Sequence, residues 1–404
     1  MAVAGIVAEY NVFHRGHAWQ LGELRRRLGE DTAVVVCMSG NFVQRGDFAL
    51  LNKRARAEMA LLGGADLVLE LPTPWSTAAA ERFAQGGAAV LSATGVVDYL
   101  AFGCECGALE PLKAAADCLD SPAYPAALRR FAGGGMSFAA ARQEAVRSLA
   151  GDAAACLSHP NNALAVEYLR ALRMTGIRPL ALPRVGAGHD SGEESGFPSA
   201  SAIRRQLMLG GDWRPMLPEA SAAVLSREIA AGRAPVSMDN CRRALLARLR
   251  EMEEEDFRLY DGGNEGLYHR FYDAVHTAVC PENILQRAKT RRYPLARLRR
   301  MLLQSYLGVP QAAQGETPPY LRVLGFSERG RNLLRRMKEA AALPVLIKPS
   351  HIRRMDREAR RVFAQESRCT DLYVLAYPDL REAGPGSEYR AGPAVLPSRK
   401  GDDL

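Results

Sequence analysis

The residues best suited to chemistry near the start of the chain are two histidines of an H-x-G-H element, His14 and His17, which follow the apolar run 3–7. A strand that leads through a glycine-containing turn into a helix presents backbone N–H groups and the positive end of the helix dipole to an anion. Imidazoles one turn apart donate hydrogen bonds to phosphate oxygens, and Gly16 lets the backbone come close. The element predicts a nucleotide site with ATP as the first ligand to consider, two surface histidines being the alternative.

A second helix start suited to phosphate binding is the segment Ser199-Ala200-Ser201-Ala202-Ile203-Arg204-Arg205. Ser199 or Ser201 is a typical N-cap, and Arg204 lies within the first turn or so, in reach of a phosphate. An ordinary capped surface helix is the alternative interpretation. Together the two elements predict two helix N-termini that converge on one triphosphate. Their predicted catalytic residues are His14, His17 and Arg204, because attack at phosphorus needs charge stabilisation more than a covalent nucleophile.

The elements that must position these residues follow an alternation of β-like apolar runs and helical patterns. The predicted strands are residues 3–7, 33–38, 66–70, 97–102 and 177–182. Such alternation predicts an α/β fold, with a Rossmann-like parallel sheet and helices on both faces, over residues 1–215. H-x-G-H then lies at the carboxyl end of the first strand, where open parallel sheets bind ligands.

The remaining chain divides into three predicted parts. Over residues 216–310, Leu, Ala and Arg recur at helical spacing, which predicts a helical, basic domain. A small α/β unit is predicted at residues 311–380, with strands at 321–325, 345–348 and 372–377. Richness in Pro, Gly and charge predicts a flexible tail at residues 381–404.

A polar loop follows the second predicted strand and therefore lies at the same sheet edge as H-x-G-H. Its segment Ser39-Gly40-Asn41-Phe42-Val43-Gln44-Arg45-Gly46 offers hydroxyl, amide and guanidinium donors for a carboxylate, a phosphate or a base edge. The predicted substrate contacts are Ser39, Asn41, Gln44 and Arg45. A loop that merely caps the next helix is the alternative. Lys53 and Arg56 open that helix, where single charges are usually solvated, and they are not predicted as site residues.

A basic segment at residues 287–300 contains seven Lys or Arg residues and no acidic one. Lys and Arg that neutralise phosphates give salt-sensitive affinity, and a tyrosine or arginine plane stacks on an unpaired base. The alternative is a solvated helix face. The predicted RNA contacts are Lys289, Arg291, Arg292, Tyr293, Arg297, Arg299 and Arg300.

Composition narrows the class of protein. The 404 residues suggest two or three domains, and an apolar fraction of 48% excludes global disorder. The formal charge of +8 favours a polyanionic partner. The eight cysteines form no C-x-x-C pair, so we expect reduced thiols and no metal site, although Cys104 and Cys106 flank one glutamate. No targeting or membrane-spanning pattern is visible, and we expect a cytoplasmic protein without a membrane partner.

Four segments, at residues 9–17, 38–46, 66–72 and 160–162, together resemble the bacterial tRNA(Met) cytidine acetate ligase family of the nucleotidyltransferase superfamily. The resemblance extends to about Pro378, and its most diagnostic part is Met-Ser-Gly-Asn-Phe-x-Gln-Arg-Gly. It implies that ATP activates acetate as acetyl-adenylate and that the acetyl group passes to the N4 amine of the wobble cytidine of elongator tRNA(Met), forming N4-acetylcytidine. The chain has Val12 where the family usually has proline, and it lacks the third histidine usual near Trp19-Gln20.

The resemblance also implies a nucleotide domain at residues 1–215, a tRNA-binding domain at 216–310, and Mg²⁺ accompanying the ATP. The residues it implies in ATP binding come from loops at the carboxyl edge of the sheet, and Asn161 and Asn162 are alternatives for one contact. They are Val7, Glu9, Tyr10, Asn11, Phe13, His14, Gly16, His17, Gly103, Asn161, Asn162, Arg184, Ser199 and Ser201.

Two other functions fit the same motifs. An adenylyltransferase that makes a small cofactor would use the sheet and the histidines, but it leaves the helical domain and the basic segment without a role. A nucleotide-sensing RNA-binding protein without enzymatic activity is the other alternative. The predicted partners are ATP, acetate and tRNA, and the oligomeric state is not specified by the sequence.

Overall fold

The computed structural model describes residues 1–132, 136–183, 197–260 and 266–396. In this part of the chain the strands are β1 (Val3–Ala8), β2 (Ala33–Ser39), β3 (Phe42–Val43), β4 (Asp47–Phe48), β5 (Leu67–Leu71), β6 (Tyr99–Cys104), β7 (Arg178–Pro183), β8 (Leu321–Phe326), β9 (Val345–Leu346) and β10 (Ala394–Val395). The five strands predicted for the N-terminal sheet correspond, in chain order, to β1, β2, β5, β6 and β7. Local apolar patterning therefore located the strands of the central sheet.

The α-helices in the N-terminal half are α1 (Arg15–Leu28), α2 (Lys53–Leu62), α3 (Thr73–Ser76), α4 (Ala80–Ala93), α5 (Glu110–Leu119), α6 (Tyr124–Ala132), α7 (Phe138–Ala150), α8 (Pro160–Leu172) and α9 (Ala200–Met208). Those that follow are α10 (Glu219–Ala230), α11 (Arg242–Arg250), α12 (Leu267–Thr277), α13 (Pro281–Ala288), α14 (Leu295–Leu307), α15 (Glu328–Ala340), α16 (Arg357–Val374) and α17 (Ser387–Arg390). Among the described residues, none of the helices combines the length and the apolar character needed to cross a membrane.

Several helices begin at side chains that accept the free N–H groups of the first turn. Asn52 accepts from Arg54 and Ala55 at the start of α2. Ser327 caps α15, and Asp356 caps α16. Each cap satisfies a donor that the helix itself leaves unpaired, which defines where these helices begin.

The central sheet has the strand order β10-β8-β5-β2-β1-β6-β7, with β9 pairing to β8. The pairs β5–β2, β2–β1, β1–β6 and β6–β7 are parallel, and β5–β8 is antiparallel. The chain winds outward from β1 in one direction to β2 and β5, and in the other to β6 and β7. A crevice at such a switch point, outside the carboxyl ends of the strands, is where open α/β sheets bind ligands.

Both faces of the sheet are buried. Along β2, Ala33, Val35 and Cys37 belong to one apolar core, and Val34 and Val36 belong to the core on the opposite face. This period of two is the pleat of the strand, and helices cover both sides. The expected α/β class with a Rossmann-like sheet is confirmed.

The helices α11–α14 share a third apolar core with parts of the chain distant in sequence. Phe42 and Phe48 of the β3–β4 hairpin pack into it, and so does Tyr373 of α16, whose hydroxyl donates to the Ala49 carbonyl over 2.8 Å. Phe48 and Tyr373 stack with ring centroids 6.0 Å apart. The predicted helical region is thus anchored directly on the loop that follows β2.

The C-terminal part completes the main sheet instead of forming a sheet of its own. β8 pairs with β5, and both β9 and β10 pair with β8. The strand predicted at residues 372–377 is wrong, because this stretch contains the end of α16 and the turn after it. Its apolar residues face a core at helical spacing, and a short apolar run does not by itself distinguish strand from helix.

Residues 381–396, predicted as part of a flexible tail, are folded onto the sheet. α17 and β10 lie in this stretch, and Glu388 is 1% exposed. Its carboxylate contacts Lys53 Nζ at 2.8 Å and Arg322 Nη2 at 2.6 Å. A Pro- and Gly-rich composition predicts little regular structure, but it does not reveal a carboxylate that pairs with buried cations.

Candidate functional site

The two histidines of H-x-G-H stack at the start of α1. His14 is the N-cap, and its Nδ1 accepts the Gly16 N–H over 3.1 Å. His17 Nδ1 in turn accepts the His14 N–H over 3.2 Å, and the ring centroids are 3.8 Å apart. Because both Nδ1 atoms act as acceptors, each neutral ring carries its hydrogen on Nε2. The capping geometry therefore makes Nε2 the donor atom of each ring.

Aromatic residues of the same loop pack against the histidine pair. The Tyr10 ring meets His17 edge-on at 4.7 Å, and Phe13 lies 5.6 Å from the same ring. Both Tyr10 and Phe13 are buried, and Val7 lies against Gly87. The rings of Tyr10 and Phe13 therefore hold the His17 imidazole in place by packing, whereas Val7 packs against α4.

The loop between β1 and α1 is also held by polar contacts. Asn11 is buried, and its Oδ1 accepts the Leu50 N–H over 2.8 Å. Tyr10 has a φ of 45°, and the Asn11–Val12 peptide bond is cis. The Asn11 carbonyl faces outward to Arg204, whose Nη1 donates to it over 2.5 Å.

The second predicted helix start lies beside the first. Ser199 caps α9 by accepting the Ala202 N–H over 3.2 Å, and Arg204 Nη2 donates to Ser201 Oγ over 3.2 Å. A Cβ placed on Gly16 would lie 3.4 Å from Phe197 Cβ, just before α9. The structure thus brings together the N-termini of α1 and α9. Burial lowers the pKa of the Arg204 guanidinium, and the carboxylates of Glu9 and Asp47 oppose that shift.

The loop after β6 forms the other side of the switch point. Gly103 lies near the end of β6, and Asn162 Oδ1 accepts the N–H groups of Glu105 and Cys106 over 2.7 and 3.3 Å. The Glu105 carboxylate accepts from the Asn162 N–H and from Asn161 Nδ2, over 2.8 and 2.5 Å. Both asparagines therefore fasten this loop to the start of α8. Arg184, the remaining predicted ATP contact, lies outside the described residues.

Arg56 is a buried residue of the candidate site that the sequence interpretation missed. It is buried, and its guanidinium donates to the carbonyl groups of Leu51 and Ser39 over 3.0 and 3.1 Å and also to those of Glu9 and Gly40. One planar side chain thus joins the loops that follow β1 and β2. Burial lowers its pKa to about 10.

Lys53 is buried as well, in a cluster of charged side chains beneath the polar loop. The carboxylates of Glu70 and Glu366 lie 2.5 and 3.0 Å from its Nζ, and Glu366 also accepts the Thr73 N–H over 2.8 Å. A Cβ on Gly40 would lie 2.9 Å from Glu70 Oε1. Burial raises the pKa of Glu70 to about 7 despite Lys53. The full cluster is Lys53, Glu70, Arg322, Glu366 and Glu388.

A periodic signal for these buried cations is present in α2. Lys53 and Arg56 share a helical face with the buried residues Ala57 and Ala60. Residues three and four apart lie on one side of a helix. The expectation of two solvated charges was wrong because it weighed residue type and not this spacing.

The polar loop divides into buried and accessible residues. Ser39 is buried, and Asn41 is buried with its Nδ2 donating to Thr370 Oγ1 over 3.0 Å and its Oδ1 accepting the Lys53 N–H over 2.8 Å. Direct substrate contact by these two side chains was therefore a wrong prediction, since they shape the loop internally. Gln44 is half-buried, and Arg45 is exposed.

Glu9 links the polar loop to the end of β1. Its Oε1 accepts the Gln44 N–H over 2.9 Å. Burial raises the pKa of Glu9, and the Gln44 N–H together with the positive charges of Arg204 and Arg45 oppose that rise. The Glu9 carboxylate therefore faces both arginines at the accessible end of the loop.

The tip of the β3–β4 hairpin touches the start of the basic helix α14. Gly46 has a φ of 77°, and a Cβ on it would collide with the backbone of Arg299 and Arg300. Next to it, burial raises the pKa of Asp47, opposed by the charges of Arg299 and Arg204 among others. The basic segment thus adjoins the candidate nucleotide site.

Within the basic segment, exposure differs from residue to residue. Lys289, Arg291 and Arg292 are exposed. Tyr293 is only 8% exposed, and the guanidinium groups of Arg292 and Arg297 lie 5.8 and 5.7 Å from its ring centroid. Base stacking by Tyr293 was therefore a wrong prediction, because its ring packs into the helical core. The remaining residues, Arg297, Arg299 and Arg300, are half-buried.

Comparison with known proteins adds an independent finding. Residues 1–386 match the model of a family described as HIGH Nucleotidyl Transferase. The chain is 37% identical to the tRNA(Met) cytidine acetate ligase of Syntrophomonas wolfei over 97% of this chain and 99% of that protein. It is 36% identical to the protein of the same name from Acetivibrio thermocellus, over 95% and 98%.

Solved structures agree with this similarity. The crystal structure of Thermotoga maritima TmcAL in an apo form has a TM-score of 0.92 and 33% identity, covering 98% of this chain and 100% of that one. A second crystal form of the same protein, bound with alpha-thio ATP, has a TM-score of 0.90 with the same identity and coverage. The likeness therefore includes nearly every element of the fold.

Proposed function

The chain belongs to the HIGH nucleotidyl transferase family and to the tRNA(Met) cytidine acetate ligases within it, and we propose how its residues carry out that reaction. Our proposal is that it activates acetate with ATP and acetylates the N4 amine of the wobble cytidine of elongator tRNA(Met). The observation that carries it is the meeting of α1 and α9 at the switch point of the sheet, with His14, His17 and Arg204 at their junction.

The first step is the formation of acetyl-adenylate. An acetate oxygen attacks the α-phosphorus of ATP, the bond from that phosphorus to the bridging oxygen breaks, and pyrophosphate leaves. Negative charge on the phosphate oxygens must be stabilised as the phosphorus becomes five-coordinate. His14 and His17 supply Nε2–H donors whose direction is set by the capping bonds, and Arg204 supplies positive charge.

The loops around the switch point bind the rest of the nucleotide in this proposal. Gly103 leaves bare backbone against which the adenosine packs, and Asn161 and Asn162 hold that loop in position. Ser199 and Ser201 present the N-terminus of α9 to the phosphates. Arg56 positions the facing loops without touching the nucleotide.

Magnesium enters this proposal together with the triphosphate. In the described part of the chain, no group of three or more His, Cys, Asp or Glu side chains is arranged to hold a metal ion. Mg²⁺ in nucleotide sites keeps mainly phosphate and water oxygens as ligands, so the residues fit an ion carried by ATP. Its charge would neutralise the leaving pyrophosphate.

The second step transfers the acetyl group to RNA. The cytidine N4 forms a bond to the acetyl carbonyl carbon, the bond from that carbon to the AMP oxygen breaks, and N4 gives up a proton. The amine is a weak nucleophile, so holding it beside the mixed anhydride must supply much of the rate. The contact of Gly46 with Arg299 and Arg300 supports this arrangement, because it places the proposed tRNA-binding segment next to the proposed site of adenylation.

Two measurements on the same preparation test this function. Exchange of labelled pyrophosphate into ATP should require acetate, and mass spectrometry of nucleosides from tRNA incubated with ATP and labelled acetate should show acetylated cytidine. An adenylyltransferase that makes a small cofactor would leave tRNA unlabelled. Absence of both acetate-dependent exchange and RNA product would refute the proposal in favour of a protein that only binds nucleotide and RNA.

A further inference from the structure

A second concentration of positive charge lies outside the site described above, directly after β9. Residues 348–361 contain six Lys or Arg residues and two acidic ones, a net charge of +4 within a chain of +8. The 3₁₀ helix Pro349–Arg354 forms its first half and α16 begins its second half. The basic segment at residues 287–300 is a different part of the chain, so this surface requires its own explanation.

The first half of this segment forms an open depression of about 400 Å³. Its lining contains four basic side chains and one hydroxyl: Lys348, Ser350, His351, Arg353 and Arg354. All five residues are exposed, whereas Ile352 between them is buried in the sheet core. The buried isoleucine holds the short helix against the fold, so the basic side chains project from an anchored backbone.

Within the part of the chain that the structure describes, no carboxylate neutralises Lys348, Arg353 or Arg354. In the described ranges, Lys348, Arg353 and Arg354 have no carboxylate within ion-pair distance, whereas Arg361 a few residues on pairs with Glu358 at 2.6 Å. Asp356, the nearest acidic residue in sequence, accepts the Ala359 N–H as the cap of α16. Unpaired like charges held side by side repel each other, and an anionic partner relieves that repulsion.

The lining identifies the class of anion. It contains no aliphatic, phenyl or indole side chain on which an acyl chain would rest. Guanidinium, ammonium, imidazole and hydroxyl groups are all donors to phosphate oxygens. An open depression of this kind does not enclose a small ligand, so it suits a phosphodiester backbone that passes along the surface better than a free nucleotide.

The position of the depression relates it to the candidate active site. Val345 of β9 pairs with Leu321 at the start of β8, and Val323 of β8 pairs with Leu69 of β5. Because β8 runs antiparallel to β5, β9 lies near the edge at which β1, β2 and β5 end. A tRNA is long enough to reach beyond the reacting cytidine to a surface at the end of that edge.

We propose that Lys348, His351, Arg353 and Arg354 form a second phosphate-binding site that holds the tRNA backbone away from the reacting cytidine. The inference rests on the proposed function for its choice of RNA. In this proposal the surface contributes to the affinity for tRNA and takes no part in the acetyl transfer.

The test uses the full-length double variant Arg353→Ala/Arg354→Ala and, as a matched control, Arg335→Ala/Arg336→Ala. The control removes two exposed arginines from α15 and changes the net charge equally. Filter binding of tRNA at several salt concentrations should show about three- to thirtyfold weaker binding for the first variant alone. Its slope of log affinity against log salt should be shallower by about 1.4–1.8, corresponding to two lost phosphate contacts. Arg353→Lys/Arg354→Lys should recover most of the affinity.

Kinetics separate this site from the proposed function. The KM for tRNA should rise with kcat unchanged, and acetate-dependent pyrophosphate exchange should equal that of the wild type. Binding and salt slopes equal to those of the control would overturn the inference, as would loss of binding to anionic phospholipid vesicles with tRNA binding intact. If wild-type exchange were absent, the proposed function would fail while the binding measurements still decided whether this surface holds RNA.

Discussion

Replacing His14 by asparagine separates two roles that this side chain combines. Its Nδ1 caps α1 by accepting the Gly16 N–H, and Nε2 is the atom we assign to phosphate. Asparagine is among the best N-cap residues, and its Oδ1 takes the place of Nδ1. It has no atom at the position of Nε2. We expect His14→Asn to fold normally and to lose only the contact with the nucleotide.

The magnitude follows from the two contacts. Loss of one hydrogen bond to a charged group costs about 1.5–3 kcal/mol, which corresponds to about 10- to 150-fold in kcat/KM for the acetate-dependent exchange. Keeping the cap limits the change in the free energy of unfolding to less than about 1 kcal/mol. His14→Ala removes both contacts and should lower activity and stability together. His17→Asn should behave like His14→Asn, because His17 Nδ1 also accepts a backbone N–H.

The assay is pyrophosphate exchange combined with urea denaturation of each variant. His276→Asn, on an exposed face of α12, is the control for loss of a histidine. His14→Gln, whose longer side chain returns a donor near the position of Nε2, should recover part of the exchange rate. A correctly folded His14→Asn variant with the wild-type rate would show that Nε2 does not bind the phosphates, and the assignment of this loop would be wrong.

Arg204→Ala should weaken ATP use and leave tRNA affinity unchanged, because Arg204 donates to the Asn11 carbonyl between the starts of α1 and α9. Loss of tRNA binding alone would assign Arg204 to the RNA instead of the nucleotide. Replacing the exposed Arg291 and Arg292 by alanine should reduce tRNA acetylation and leave acetate-dependent pyrophosphate exchange unchanged. The slope of log tRNA affinity against log salt should become shallower by about 1.4–1.8. Equal loss of both reactions would contradict the separation of the two substrates. Burial raises the pKa of Glu70 to about 7 from an ordinary value of about 4.5, so the folded protein retains a proton that the unfolded chain releases between these pH values. The free energy of unfolding should therefore fall as pH rises from about 4.5 to about 7, and Glu70→Gln should remove this part of the pH dependence in urea titrations; parallel curves would refute it.

The features predictable from sequence are local ones. Capping of α1 by His14 and of α9 by Ser199 depends on residues within three positions of each cap. The strands of the central sheet follow from apolar runs of limited length, and their parallel order follows from the alternation with helices. The position of H-x-G-H at the carboxyl end of β1 follows directly from these two patterns.

The features that were mispredicted depend on distant partners. The sequence around Asn41 indicates an accessible amide, but in the fold its Nδ2 donates to Thr370, 329 positions away. The basic residues around Tyr293 indicate a ring that stacks on a base, but in the fold the helical core covers this ring. Nothing in the residues beside Glu388 indicates that it pairs with Lys53 at the far end of the chain.

The sequence by itself determined the H-x-G-H element after β1, the α/β class and the family, because these depend on residue type at short and regular spacing. The tertiary structure decided which polar residues are buried, how α9 meets α1, and that the basic segment adjoins the polar loop at Gly46. A charged or amide side chain has the same sequence signature whether solvent or a buried partner satisfies it. Its free energy, and therefore its role, depends on which groups the fold brings within a few ångströms.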